Sequence, residues 1–200
     1  MNRIVTISAA AVLNPGDAAD VSFVPAIQRR RLSPLQKIYF SLAHGVDMAG
    51  IGNVVFSSRD GEDTLTRRIV DDFHEDGSVS PNRFSSSVYN ASPGLWSVFA
   101  GSRVPYTAIA AGEDTIECAL IESLGGTIPA LFVYAEETGG GYGAAFVLSE
   151  DRSGAEPCRA ISREEPNRPS LTFSDLVAFI ACKTDELKGR WISIVRERKR

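Results

Sequence analysis

Histidine and cysteine are both scarce in this 200-residue chain, which contains two histidines and three cysteines. The cysteines, Cys118, Cys158 and Cys182, are odd in number, far apart and not in metal-type spacing. They predict reduced thiols rather than a disulfide framework. The histidines are His44, within a helical pattern, and His74, within the acidic segment DDFHED. We therefore expect no metal site and no cofactor.

An excess of positive charge and a long apolar run are missing as well. The formal net charge is -4, which argues against nucleic-acid binding driven by phosphate contacts. The basic clusters at residues 29–31 and 196–200 are interpreted as solvated flanks. No stretch approaches the ~18 apolar residues of a membrane span. Thr6 and Ser8 make the run at residues 4–13 less hydrophobic than the apolar region of a signal peptide. We expect a cytoplasmic protein with no nucleic-acid partner and no membrane span.

The chain does have enough apolar sequence to bury a core. Hydrophobic residues make up 44% and charged residues 23%, as in an ordinary globular domain. Strands are predicted at residues 4–13, 54–56, 106–111, 129–134, 143–148 and 191–195. Helices are predicted at residues 34–46, around 65–73, and at 92–101, 114–124 and 173–187, with Ser174 and Asp175 capping the last. Residues 152–169 are predicted to be a long loop. Such alternation indicates one α/β layered domain over residues 1–200.

The connection between the strand at residues 106–111 and the following helix is short and acidic, with the sequence AGEDT. Strand-to-helix turns of this kind often hold a nucleophile over a helix N-terminus, whose dipole lowers the pKa of a thiol. Here the exposed position is Glu113, which is already ionised and a poor nucleophile. Cys118 lies more than one helical turn further on, so we expect it to be buried and inert. The glycine-rich stretch at residues 139–143 does not match a phosphate-binding loop.

Several motifs around this elbow resemble the β-ketoacyl synthases. They are Val88-x-Asn90, Gly94-Leu95, Gly101-x-Arg103-x-Pro105 and the small-residue strand AIAA at residues 108–111. The whole chain is more closely similar to the short family of ketosynthase-like N-terminal domains linked to aryl polyene gene clusters and described as chain-length factors. The resemblance covers residues 28–150 well, and residues 151–200 are a divergent loop, helix and strand. It implies a layered α-β-α, thiolase-like half fold with a mixed sheet and flanking helices.

Two departures from the family matter for function. Glu113 falls on the position of the family's active-site cysteine, and the chain stops at about half the ketosynthase length, before the half that holds the two catalytic histidines. The resemblance therefore implies a vestigial nucleophile position and a non-catalytic chain-length factor. Such a subunit pairs as a heterodimer with a full-length ketosynthase in polyketide or fatty-acid-like biosynthesis, and acyl carrier protein docks on the complex.

The resemblance also nominates site residues. The segment matching the family's partner-facing loop and helix supplies tunnel-gating candidates, which are Arg83, Phe84, Ser87, Val88 and Trp96. Asn90, Gly112 and Asp114 are candidates for support of the elbow. For Trp96, a core position is the alternative reading.

Two other functions stay open from the sequence. A carboxylate in place of the cysteine can suit decarboxylation of malonyl-carrier protein, which needs no covalent acyl intermediate. The chain could also be a non-enzymatic scaffold that binds acyl groups or partner proteins.

Overall fold

The computed structural model describes residues 2–150 and 157–197. The first part of the predicted loop at residues 152–169 and the end of the basic tail at residues 198–200 lie outside the described residues. The strands are β1 Asn2–Leu13, β2 Asn53–Ser57, β3 Tyr106–Ile109, β4 Ala130–Glu136, β5 Tyr142–Ser149, β6 Pro157–Ser162, β7 Glu186–Lys188 and β8 Ile192–Arg196. The helices are α1 Ala26–Arg29, α2 Pro34–His44, α3 Asp63–Asp76, α4 Pro81–Ser87, α5 Ala91–Ala100, α6 Thr115–Gly125 and α7 Phe173–Ile180.

All eight strands form one mixed sheet in the order β3-β2-β4-β5-β1-β6-β8-β7. The pairs β3–β2 and β2–β4 are parallel, and the remaining pairs are antiparallel. Strand β3 forms one edge of the sheet and β7 the other. Strand β4 is buried along its whole length, as expected for a strand covered on both faces.

Helices cover the two faces of the sheet. On one face, α2 and α5 pack with Phe56, Leu131 and Val133 in one hydrophobic cluster. On the other face, α6 and α7 pack with Phe132 and Phe146 in a second cluster. The predicted layered α/β architecture is therefore confirmed.

Local signals account for the well-predicted helices. Ser33 caps α2 through a capping box with Gln36, and Pro34 occupies its first turn, which satisfies orphan N–H groups at the helix start. The predicted apolar face of this helix, Leu35, Ile38, Tyr39, Leu42 and the following Val46, is buried.

Three predictions for the C-terminal part were wrong. Strand β6, Pro157–Ser162, lies within the predicted loop and pairs with both β1 and β8. Helix α7 ends at Ile180 instead of continuing to residue 187, because the backbone turns at Cys182, whose φ is +56°. Its N-cap is Thr172 and not the predicted Ser174, whereas Asp175 does take part in capping, through a capping box with Thr172.

Candidate functional site

The elbow is a 3-10 turn, Gly112–Asp114, between β3 and α6. Gly112 has φ of +58°, a left-handed conformation that glycine adopts without steric cost. The Thr115 hydroxyl donates to the Gly112 carbonyl at 2.8 Å and accepts from the Ala111 amide at 3.0 Å. The Glu113 side chain is exposed at this turn. The backbone thus presents an exposed carboxylate at the turn.

Beside the elbow lies a cleft of about 380 Å³. Its wall contains the rings of Tyr134, Tyr142 and Phe173, and the centroids of the last two are 4.8 Å apart. Arg59 and Glu113 also line the cleft. Burial, with the nearby Glu136 carboxylate, raises the pKa of the Tyr134 phenol, so this hydroxyl stays protonated. The cleft is aromatic and holds no phenolate base at Tyr134.

Two C-terminal loops, residues 163–172 and 189–191, pack against the elbow, and we name them together the C-terminal cover. Asp114 binds this cover: Ser170 Oγ donates to its carboxylate at 2.6 Å, Trp191 Nε1 at 3.1 Å and Arg190 Nη1 at 3.2 Å. Burial alone would raise the pKa of Asp114, but these donors and the Arg190 charge outweigh it and hold the pKa below its ordinary value. Asp114 therefore stays ionised and joins the elbow to the C-terminal region.

Glu117, in the first turn of α6, makes the second connection. Its side chain is fully buried. The backbone amides of Leu171 and Trp191 donate to its two carboxylate oxygens at 3.1 and 2.7 Å. A buried carboxylate needs such donors, since its desolvation is costly.

Cys118 and His44 both have local partners other than Glu113. Burial and the charges of Asp114 and Glu117 raise the pKa of Cys118, which keeps the thiol protonated. His44 stacks on Phe23 with centroids 3.7 Å apart. Over residues 2–150 and 157–197, no group of three histidine, cysteine or carboxylate side chains is placed to hold a metal ion.

A buried carboxylate organises the loop between β2 and α3. Glu136 accepts hydrogen bonds from Ser58 Oγ at 2.9 Å, from the Arg59 amide, and from the Asp60 amide at 3.2 Å. Ser57 Oγ donates to the Val133 carbonyl at 3.1 Å. These serines thus make structural hydrogen bonds beside the cleft.

Glu62, the residue before α3, is a second buried carboxylate in this loop and is 4% exposed. Burial is the main reason that its pKa rises to about 7; the neighbouring polar side chains of Ser33, Gln36 and Ser92 oppose this rise, and the charge of Glu137 assists it. Glu62 lies between the start of α3 and the first turn of α5, where Ser92 Oγ is 3.4 Å away.

The structure brings four of the five gating candidates together on α4 and its C-cap. Phe84 is 61% exposed and Val88 39% exposed. Arg83 forms an ion pair with Asp72 of α3, and Ser87 Oγ donates to the Phe84 carbonyl at 2.9 Å.

Trp96, the fifth candidate, lies elsewhere. It is 6% exposed and packs edge to face on Phe40, with ring centroids 5.1 Å apart. The alternative core reading describes its position. Asn90 is the N-cap of α5, but its side chain makes no capping hydrogen bond.

Sequence reasoning missed the residues that the C-terminal part brings to the elbow. Ser170 lies just after the predicted loop at residues 152–169, Phe173 begins the predicted helix, and Arg190 directly precedes the predicted strand at residues 191–195. The local signal for this contact was the pair Asp114 and Glu117, which are three residues apart on one helical face. Two acidic side chains so placed need hydrogen-bond donors from elsewhere in the chain when they are buried.

None of the described helices is both long enough and apolar enough to span a membrane.

Comparisons with known proteins place this geometry in a family. Residues 7–139 match the family model described as "Beta-ketoacyl synthase, N-terminal domain". A search of curated proteins gave no match.

Solved structures of ketosynthase complexes share the fold. The chain is similar to a chain of a ketosynthase in complex with its chain length factor from Xenorhabdus doucetiae, with a TM-score of 0.76 and 19% identity over 98% of this chain and 100% of that chain. It is similar to the ishigamide ketosynthase/chain length factor, with a TM-score of 0.57 and 14% identity over 84% of this chain and 57% of that chain. A third is a type II PKS acyl-carrier protein in complex with its ketosynthase bound to the hexaketide, with a TM-score of 0.61 and 12% identity over 83% of this chain and 70% of that chain. The predicted thiolase-like, ketosynthase type of fold is therefore confirmed.

Proposed function

The chain belongs to the β-ketoacyl synthase N-terminal domain family, and we propose that it is a non-catalytic, chain-length-factor-like subunit that pairs with a complete ketosynthase. The observation that carries the proposal is the exposed carboxylate of Glu113 at the elbow, the position that the family resemblance gives to the nucleophile. An ionised carboxylate is a poor nucleophile towards a thioester, and the nearby Cys118 thiol is held protonated.

The surface around the elbow supports pairing with another subunit. Strand β3 is at the edge of the sheet, with free backbone groups that a partner can cover. Beside it are exposed apolar side chains on α4, α5 and β3, which we name the partner face: Phe84, Val88, Leu95, Val98 and Tyr106. Several large apolar side chains left exposed on neighbouring elements are typical of a protein interface.

Helix α4 is the proposed gate for chain length. Its exposed Phe84 and Val88, with Arg83 and Ser87, would project towards the partner's acyl tunnel, and the bulk of these side chains would limit how far the growing chain extends. Trp96 would act indirectly, by holding α5 against the core.

We propose that this heterodimer acts in aryl polyene biosynthesis in the cytoplasm and that acyl carrier protein docks on it. We also propose that residues 1–200 form one ketosynthase N-terminal-like domain. The similarity to the Xenorhabdus doucetiae ketosynthase with its chain length factor supports the heterodimer. The similarity to a ketosynthase bound to its acyl-carrier protein supports the carrier.

Co-expression with ketosynthases encoded beside this chain tests the proposal. We expect a stable one-to-one complex on size exclusion with light scattering, and poor solubility or homodimers for the chain alone. A monodisperse monomer that binds none of these ketosynthases would contradict the proposal. Turnover of malonyl-carrier protein by the purified chain alone would instead indicate a decarboxylase.

A further inference from the structure

We propose that the C-terminal cover partly closes the cleft beside this subunit's own elbow, and that Asp114 and Glu117 are the two residues that fasten it. The inference rests on the proposed function, because a subunit that leaves condensation to its partner benefits from denying acyl groups access to its own cleft. It assigns a task to residues 163–172 and 189–191.

The two loops of the cover form one unit before they meet the elbow. The Arg163 amide donates to the Trp191 carbonyl at 2.8 Å, and the Glu165 amide donates to the Arg190 carbonyl at 2.9 Å. Arg190 Nε donates to the Arg168 carbonyl at 2.8 Å. These hydrogen bonds join the two loops, so both loops should stay attached to α6 or leave it as one unit.

The cover is joined to α6 through both carboxylates. Asp114 accepts from side chains of both loops, Ser170 from the first and Trp191 from the second. Glu117 accepts one backbone amide from each loop, Leu171 and Trp191. Each carboxylate thus bridges both loops, so the loss of either one weakens the attachment of the whole cover.

Gly189 shows how closely the cover is seated. A Cβ atom at this position would lie 2.4 to 2.7 Å from the carboxylate atoms of Glu117, closer than atoms can approach. The neighbouring carboxylate is itself buried and held by two amides, so it has little freedom to move away. An alanine at position 189 should lift the second loop from α6.

The seated cover forms part of the cleft wall. Ser170, Leu171, Thr172 and Arg190 of the cover line the cleft beside Glu113. Lifting the cover would widen the cleft and expose the aromatic rings of Tyr134 and Tyr142, which now line it. The cover therefore restricts the space that an acyl group could enter.

Hydrogen exchange of the Leu171 and Trp191 amides tests the fastening directly. Gly189→Ala is compared with Gly125→Ala, a matched control because a Cβ at Gly125 meets nothing within 4 Å. We expect exchange at both amides to be at least about tenfold faster in Gly189→Ala, with β4 and β5 as protected as in wild type. Equal exchange in the two variants would overturn the proposal.

Glu117→Gln is a second variant that avoids a steric clash. A glutamine keeps one oxygen acceptor but offers an NH₂ group to the other amide, so exchange should rise most at one of the two amides. Unchanged exchange at both would also overturn the proposal.

Binding of the fluorescent apolar anion 1-anilinonaphthalene-8-sulfonate tests closure of the cleft. We expect several-fold more binding by Gly189→Ala than by Gly125→Ala, and equal binding by the two would refute closure. Complex formation with the ketosynthase is measured separately. It should be the same for both variants, whereas failure of wild type to form any complex would contradict the proposed function and leave the exchange test of the cover intact.

Discussion

Replacing Phe84 by alanine should weaken the heterodimer without weakening the fold of this chain. The Phe84 side chain is 61% exposed, so it contributes modestly to the stability of the isolated subunit. Complete burial of a phenylalanine side chain stabilises by about 1.5–3 kcal/mol. Covering the exposed part in the complex is then worth about 1–2 kcal/mol, and its loss should raise the Kd by about 5- to 30-fold.

The assay is titration of the labelled ketosynthase with each variant, combined with thermal unfolding of the chain alone. Phe73→Ala is the matched control, because Phe73 is 55% exposed but lies on α3, outside the partner face. Phe40→Ala is the opposite control, since Phe40 is 2% exposed and its loss should cost about 3–5 kcal/mol of folding stability. A Kd for Phe84→Ala equal to that of Phe73→Ala would refute the assignment of Phe84 to the interface.

Three further predictions concern the gate, the elbow and a buried carboxylate. Mass spectrometry of carrier-bound products should show shorter chains for Ser87→Phe, because overpacking costs about 1–3 kcal/mol. It should show longer products or a broader length distribution for Phe84→Ala. Unchanged length distributions from active complexes would exclude gating by α4. Glu113→Gln should leave the condensation rate of the complex within a few fold of wild type, whereas a loss of roughly 100-fold or more in an intact complex would reveal a general base. Burial raises the pKa of Glu62 in the folded state to about 7. Protonation of Glu62 therefore stabilises the fold at low pH. The free energy of unfolding should fall by roughly 3 kcal/mol as pH rises from about 4.5 to 7. Glu62→Gln should remove most of this fall in urea unfolding at pH 5 and pH 8, and equal slopes for both proteins would contradict the assignment.

The sequence predicted the elements whose signals are local. Ser33 and Pro34 mark the start of α2, and the run that becomes β4 is apolar from Ala130 to Ala135. In each case the residues that decide the structure are neighbours along the chain. The elbow was predicted for the same reason, since Gly112 lies between a short apolar strand and an amphipathic helix.

Elements decided by distant partners were missed. Strand β6 is stabilised by pairing with β1, some 155 residues earlier, through contacts such as Val5 with Cys158. The residues of α7 continue a helical pattern beyond Ile180, yet Glu186–Lys188 pairs with β8 instead. The attachment of the cover to Asp114 and Glu117 depends on the same distant segments, so no motif within it could have shown that it reaches the elbow.

The central position of β1 has a consequence for synthesis of the protein. This strand leaves the ribosome long before its neighbours in the sheet, with Thr6 opposite Ser149 and Asn2 opposite Ile161. At translation rates of about 5–20 residues per second, β1 waits for roughly 7–30 s before either neighbour is available. During that time its apolar residues, such as Val5, lack the strands that later flank them, so we expect the nascent chain to depend on a holding chaperone until β5 has emerged.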